Sequence, residues 1–579
     1  MRIFRLFYYR RMAIATLAAA ITTLSCSALQ STVQMNFGSK GLEKLINSSV
    51  VLSDVGKYPE DALHIWHLQM TDLKGAPLTA GQYGWGENNN GKVWDLTSRT
   101  WTYTFTWGSI RIKFVPHSDS LGIEVVESNR AGSGVILSGA TIYALGLHFP
   151  SLPKEFANAA YPQLNDGVSG PSALMADYGS GVLAITTLDS IKPIYTGLLP
   201  ISKSGGYSVL ISTTPPEGLA SFQPHHDRPV RPGETDLFTV TVRFAPSGTS
   251  SSTLVAEVYR HWAQLWPASL RWKDHRVIGT AYLASSPAGD PRRPNGYPNN
   301  RRRYFNSSRP DDFDMRNSDG QLRFQEKVLD EALTIVSNLK RLNAQGVITW
   351  DIEGEEYPQE TSYVCSPDQI ATVSPEMENS VKVSGSKYRG MKLDDAYFQT
   401  IRDGGFRVGV CIRPQHFSQR SDGTAQQAFL AEDEVAAELI RKMKYAHDRW
   451  GATLFYLDST VSQNGAVLDA SVIQKAAEAL PDSLLIPEET NSRFYAYTAP
   501  FRDFLFHGNI GTDLETRAAY PQAFSAILVN DADPHKLAAA EPDLRDAVVN
   551  GDVLMVHADY WQANNDTVMN IVRAAHQHR

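Results

Sequence analysis

Residues 451–460 read GATLFYLDST, and how that stretch is read decides the fold. Thr453 to Leu457 form an apolar, β-favouring run that stops at Asp458. About thirty residues on, SLLIPEETN (483–491) repeats the pattern, with Leu484, Leu485 and Ile486 followed by Glu488 and Glu489. Two buried strands ending in acid, one strand–helix unit apart, point to a parallel sheet with its polar groups at the carboxyl ends. Such runs recur eight times: VIGTAYL (277–283), GVITWDI (346–352), FRVGVCI (406–412), TLFYLD (453–458), SLLIPE (483–488), DFLFHG (503–508), FSAILVN (524–530) and VLMVHAD (553–559). Helix-periodic segments lie between most of them, among them QEKVLDEALTIVSNLKRLNAQ (325–345) and DEVAAELIRKMKYAHDRWG (433–451). Eight strand–helix repeats predict a (β/α)8 barrel over residues 275–579. A doubly wound open sheet is the alternative, but no Gly-rich nucleotide turn follows the first run.

Upstream the periodicity changes. TWTYTFTWGSIRIKFVPHSDSLGIEVVES (100–128) alternates apolar and polar residues, and turns recur at NRAGSG (129–134), KSGG (203–206) and TPPEG (214–218). Short, punctuated strands of this kind predict an antiparallel β-sandwich over 30–252. FAPSGTSSST (244–253) marks its end, and LVAEVYRHWAQLWPASLRW (254–272) has helical spacing, giving a connecting helix over 253–274.

The first 29 residues have another character. Arg2, Arg5, Arg10 and Arg11 precede an apolar run from Met12 to Leu24, and small residues follow. That order predicts an export signal, with a run too short to span a membrane. The expected destination is periplasmic, cell-surface or secreted. Cys26 could carry a lipid anchor, although TTLSC lacks the usual large apolar residue three places before the cysteine. Removal of the signal leaves Cys365 and Cys411, whose pairing the sequence does not settle. No Cys-x-x-Cys or paired Cys/His cluster suggests zinc. The net charge of −8, with no long basic tract, gives no support to a nucleic-acid partner.

Barrel active sites lie at the carboxyl ends of the strands. The eight runs place there Trp350, Asp351, Glu353 and Glu355; Arg413 and Gln415; Asp458; Glu488 and Glu489; His507 and Asn509; Asn530 and Asp531; and His557, Asp559, Tyr560 and Trp561. An acid-lined, aromatic-bordered rim suits a carbohydrate substrate. Glycoside hydrolysis needs two carboxyl groups, one as nucleophile or base and one as acid. Asp458, short and at the strand end, suits a nucleophile. Glu488, on the adjacent strand with a longer reach, suits the acid/base, its pKa raised by burial beside another carboxylate. Asp351, Glu353, Arg413, Gln415, Asp531, His557 and Asp559 are the expected substrate-binding residues. Each has a plainer reading: Asp458 or Asp531 as a cap, Glu489 exchanging roles with Glu488, Asp351 and Glu353 paired with Arg413, and His557 as a core histidine. The stretch 284–320, rich in Pro, Asn and Arg, is expected to lie over the barrel mouth.

The arrangement of a sandwich, a helix and a barrel with FYLDST on strand four and IPEET on strand five resembles the endo-α-N-acetylgalactosaminidase group of retaining α-glycosidases. The resemblance covers residues 250–579 at the level of architecture and implies Asp458 as nucleophile and Glu488 as acid/base. Amylase-like barrels share that strand order, and Asp531 in LVNDAD would correspond to their third acid. Tyr456 stands where amylases place an Arg two residues before the nucleophile. The chain is also similar to α-galactosidases, whose acid follows strand six; Asp513 in HGNIGTD would then replace Glu488. No organic cofactor or metal is called for by either mechanism. Strand one has no His for a metal-dependent hydrolase, and VNDADPHK (529–536) has no Gly-rich phosphate loop. A non-catalytic carbohydrate-binding protein is the remaining alternative.

Overall fold

The computed structural model describes residues 33–78, 91–151, 154–156, 168–201, 203–215, 228–283, 317–353, 364–419, 425–504, 511–530 and 532–577. The chain divides into two compact units, with the boundary between Leu265 and Trp266.

Period-two alternation builds the first unit. Leu121, Ile123 and Val125 are buried on one strand, and Phe238, Val240 and Val242 on its antiparallel neighbour, with Ile123 opposite Val240. These strands belong to an eight-stranded sheet, and a four-stranded sheet runs through 64–72, 135–147, 195–201 and 206–212. Both sheets contribute to one hydrophobic cluster, for example Ile123 and Val240 from the first and Leu137 and Ile211 from the second. This is the expected antiparallel sandwich, with a further three-stranded sheet at 33–54. The helix Ala256–Leu265 buries Val258, Tyr259 and Trp262 and belongs to this unit.

The second unit is the barrel. Its strands are β1 (Ile278–Ala281), β2 (Gly346–Thr349), β3 (Arg407–Ile412), β4 (Leu454–Leu457), β5 (Leu484–Pro487), β6 (Phe501–Asp503), β7 (Ala526–Leu528) and β8 (Val553–His557). They hydrogen-bond in the order β5-β4-β3-β2-β1-β8-β7-β6, all parallel, which closes the ring except between β5 and β6. At that seam the Ala499 amide donates to the Leu485 carbonyl at 3.0 Å.

Three long helices of this unit are α1 (Ser318–Leu342), α2 (Leu393–Asp403) and α3 (Glu432–Trp450). Asn317 caps α1 by accepting the Gly320 amide, and Gly451 ends α3 in the left-handed conformation, φ +71°. Side chains alternate across the ring. Ile348, Trp350, Cys411, Leu454, Tyr456, Leu484, Ile486, Phe501 and Met555 fill the interior, while Val347, Val410, Phe455, Leu457 and Leu485 pack outward with the helices. Among the described residues no helix is long and apolar enough to cross a membrane.

The sixth strand departs from expectation. It spans Phe501–Asp503 rather than 503–508, because Pro500 and Phe504 are the residues that bond to Ala526 and Leu528 of the β7 region.

Candidate active site

Six of the inward series, continued two residues beyond the last core side chain, lay out the rim. Arg413 follows Cys411, Asp458 follows Tyr456, Glu488 follows Ile486, Asp503 follows Phe501, Asn530 follows Leu528 and His557 follows Met555. Alternation thus gathers three carboxyl groups, a guanidinium, an amide and an imidazole at the carboxyl ends of the strands. Asp503 was not anticipated, because its strand was placed too far along the chain.

Asp458 is the centre of this rim. Arg413 donates to its Oδ2 from Nε at 2.8 Å and lies at 2.6 Å through a terminal nitrogen. Ser459 donates its hydroxyl to Asp458 Oδ1 at 3.1 Å and its amide to Glu488 Oε2 at 2.7 Å. Ser459 thereby bridges the two carboxyl groups. Burial first, then the charges of Asp458 and Glu489, push the Glu488 carboxyl up to about 8. Tyr456, buried beneath the pair, packs its ring against Trp350 at 4.5 Å.

The backbone is held in unusual conformations around Asp458. Among the described residues five non-glycines have left-handed φ, and two of them touch Asp458: Ser459 at +53° and Cys365 at +45°. Each such residue costs roughly 1 kcal/mol or more, and such strain gathers at functional sites. The left-handed turn at Ser459 aims its amide at Glu488. Cys365 is disulfide-bonded to Cys411, and its sulfur lies 3.7 Å from Asp458 Oδ2. Cys365, Cys411 and Asp458 come within 4.8 Å of one another, but paired cysteines offer no thiolate to a metal.

Glu489 is occupied elsewhere. Its Oε2 accepts the Thr460 amide at 2.7 Å, while its own amide donates to Thr460 Oγ1 at 2.9 Å. It therefore fastens β5 to the turn after β4, and Glu488 is the glutamate that faces Asp458.

The structure redistributes the expected substrate contacts. Arg413 and Gln415 are buried, 6% and 4% exposed, and turned toward the protein. Arg413 binds Asp458 and Gln427, and Gln415 donates to the Ser459 carbonyl at 3.1 Å. Asp351 continues the outward series of Val347 and Thr349; it is fully buried, and its Oδ1 accepts the Leu283 amide at 2.7 Å. Glu353 is 1% exposed, with burial pushing its carboxyl up to about 8. None of the contacts made by Arg413 is to Asp351 or Glu353. His557, 1% exposed, pairs through Nδ1 with Asp559 Oδ1 at 3.0 Å and packs against the rings of Tyr282 and Tyr560. Asp559 also accepts the Tyr282 amide at 3.3 Å, so this pair braces β8 against β1.

Asp513 does not belong to the rim. It caps the short helix Leu514–Ala519, accepting the Thr516 amide at 2.6 Å and the Thr516 hydroxyl at 3.0 Å. Its neighbour Thr512 bonds to Ser525 and Asp552, the residues just before β7 and β8. Asp513 is therefore at the amino end of the barrel strands, opposite the carboxylate pair, and the reading of it as the acid is withdrawn. Cys26, Glu355, His507, Asn509 and Asp531 lie outside the described residues, as do the export segment and most of the stretch 284–320.

No protein-family model matches the chain, and no curated protein matches it. Solved structures do. The α-N-acetylgalactosaminidase NagBb of Bifidobacterium bifidum, in complex with GalNAc, is 9% identical over 94% of this chain and 92% of its own, with a TM-score of 0.49. The α-galactosidase of Lactobacillus brevis is 11% identical over 95% and 83%, with a TM-score of 0.44. A GH31 sulfoquinovosidase from E. rectale is 9% identical over 94% and 82%, with a TM-score of 0.46. None of these likenesses assigns a role to a residue of this chain.

Proposed function

We propose that the chain is an exported glycoside hydrolase that cleaves an α-linked sugar with retention, using Asp458 as nucleophile and Glu488 as acid/base. One observation carries this reading. Two carboxyl groups on adjacent strands meet at the barrel's carboxyl end in opposite environments, Asp458 against the Arg413 guanidinium and Glu488 buried with its carboxyl raised to about 8. Placing two carboxyl groups in unlike surroundings is how acid and nucleophile roles are divided in one site. At neutral pH Glu488 carries the proton that a leaving oxygen needs, and Asp458, held by Arg413, is the group placed to attack the anomeric carbon.

In the first step Asp458 Oδ1 would bond to the anomeric carbon as the glycosidic bond breaks and Glu488 gives its proton to the departing oxygen. In the second, Glu488 takes a proton from water as that water displaces Asp458. The Arg413 guanidinium on Oδ2 leaves Oδ1 as the attacking oxygen and stabilises Asp458 again as it departs. A working retaining pair stands about 5 to 5.5 Å apart. Asp458 and Glu488 are bridged by Ser459, whose hydroxyl donates to the first and whose amide donates to the second, so the pair is held together before a sugar enters. The buried disulfide accords with an oxidising compartment and hence with export.

The test is a screen of purified protein on α- and β-linked aryl glycosides of galactose, N-acetylgalactosamine and glucose, with the first-formed anomer read by NMR. An α-glycoside should be cleaved to the α-anomer, and Asp458→Asn should lose at least about 10³-fold in kcat. Glu488→Gln should lose about 10² to 10⁴-fold on poor leaving groups and far less on activated ones. The mature N-terminus, read by mass spectrometry after expression in an exporting host, should fall near residue 30. Inertness on every glycoside with retained glycan-array binding would favour a carbohydrate-binding protein, and an uncut N-terminus would remove export.

A further inference from the structure

Lys442 lies on α3, outside the rim. Its side chain is wholly buried, 0% exposed, and its ammonium donates to the carbonyls of Arg413 at 2.8 Å and Gln415 at 2.7 Å, with Glu438 Oε1 at 3.3 Å. An ammonium taken out of water is costly, and a packed apolar side chain joins a helix to a strand at lower cost. The position therefore calls for an explanation, and the two residues that Lys442 holds supply one.

Both reach across to the exit of β4. Arg413 grips Asp458 Oδ2 through Nε at 2.8 Å, and Gln415 Nε2 donates to the Ser459 carbonyl at 3.1 Å. One holds the carboxylate and the other holds the left-handed turn behind it. Without Lys442 the carbonyls of Arg413 and Gln415 would lose the ammonium that ties both to a common point on α3. A shift of a fraction of an ångström there would be passed to Asp458 through the guanidinium. We infer that Lys442 is a positioning residue for Asp458, fixing the β3 exit so that Arg413 and Gln415 hold the carboxylate and its turn in register with Glu488. The inference rests on the reading of Asp458 as the nucleophile.

Glu438 would not be stranded by loss of Lys442, because Arg441 pairs with it at 2.7 Å. Lys442→Met is thus a usable variant, checked for folding by circular dichroism and thermal melting. It is compared with Arg413→Gln and the double variant on an aryl α-glycoside that the wild type cleaves. Lys442→Met should lower kcat about tenfold or more with KM within about threefold, a loss confined to the transition state. The double variant should lose far less than the product of the two single losses, since the lysine acts in part through the arginine. Should Lys442→Met fail to fold, Lys442→Gln, which keeps a donor, replaces it and should show an intermediate kcat. A wild-type kcat in a folded Lys442 variant, or losses that multiply in the double variant, would overturn the positioning role alone. Inertness of the wild type on every glycoside would overturn the nucleophile reading and this inference with it.

Discussion

Glu488 is the residue on which the pH behaviour turns. Its carboxyl is raised to about 8 by burial, Asp458 and Glu489, so it is protonated below that value and ionised above it. Acid assistance should therefore be complete at neutral pH and disappear as pH rises through about 8. The pH profile of kcat/KM should show that alkaline limb for a substrate with a poor leaving group, and Glu488→Gln should lack it. A limb that survives in the variant would move the titration to another group. The pair itself was legible in the sequence, since a carboxylate two residues beyond an inward apolar side chain is visible from alternation alone. The partner of Asp458 was not. Arg413 lies 45 residues earlier and reaches Asp458 only because β3 and β4 are neighbours, which no local pattern records. For the same reason Arg413 and Gln415 read as substrate contacts, when their side chains turn inward to the β4 exit.

At the scale of elements, the strands were legible where an apolar run and its pairing agree. They disagree at β6. DFLFHG has the more apolar run, but backbone pairing with β7 selects Phe501–Asp503, and Asp503 was missed with it. Alternation also separates Asp351 from the site: Ile348 and Trp350 face inward, leaving Asp351 on the outward phase. In the sandwich, a buried strand carries a cost that periodicity does not reveal. Glu127 is wholly buried, neither of its carboxyl oxygens has a hydrogen-bond partner among the described residues, and burial followed by Asp236 raises it to about 8. The ordinary value is 4.5, so between about pH 4.5 and 8 the folded chain keeps a proton that the unfolded chain has lost. Stability must fall as pH rises through that window and level off above it, by on the order of 3 kcal/mol at pH 7 from this group alone. Glu127→Gln removes the titration. In urea unfolding it should exceed the wild type in stability at pH 8 and differ much less at pH 4.5. An unchanged pH dependence would contradict the burial argument.

The whole molecule was legible as two periodicities, period two through the first 250 or so residues and strand–helix repeats thereafter, and both architectures are found. The acid at Glu488 and its rival at Asp513 could not be separated in the sequence, because both follow apolar runs. Topology separates them by placing Asp513 at the amino end of the barrel and Glu488 at the carboxyl end. The central claim is that one carboxylate at that end, Asp458, forms a covalent bond to sugar. Its most direct test is to trap that species. The protein is incubated with an α-glycosyl fluoride of the cleaved sugar, fluorinated on the ring to slow the cationic transition state, and digested for peptide mass spectrometry. The account predicts one sugar per chain, attached at Asp458. Attachment at another carboxylate, or release of the β-anomer with no adduct, would contradict it.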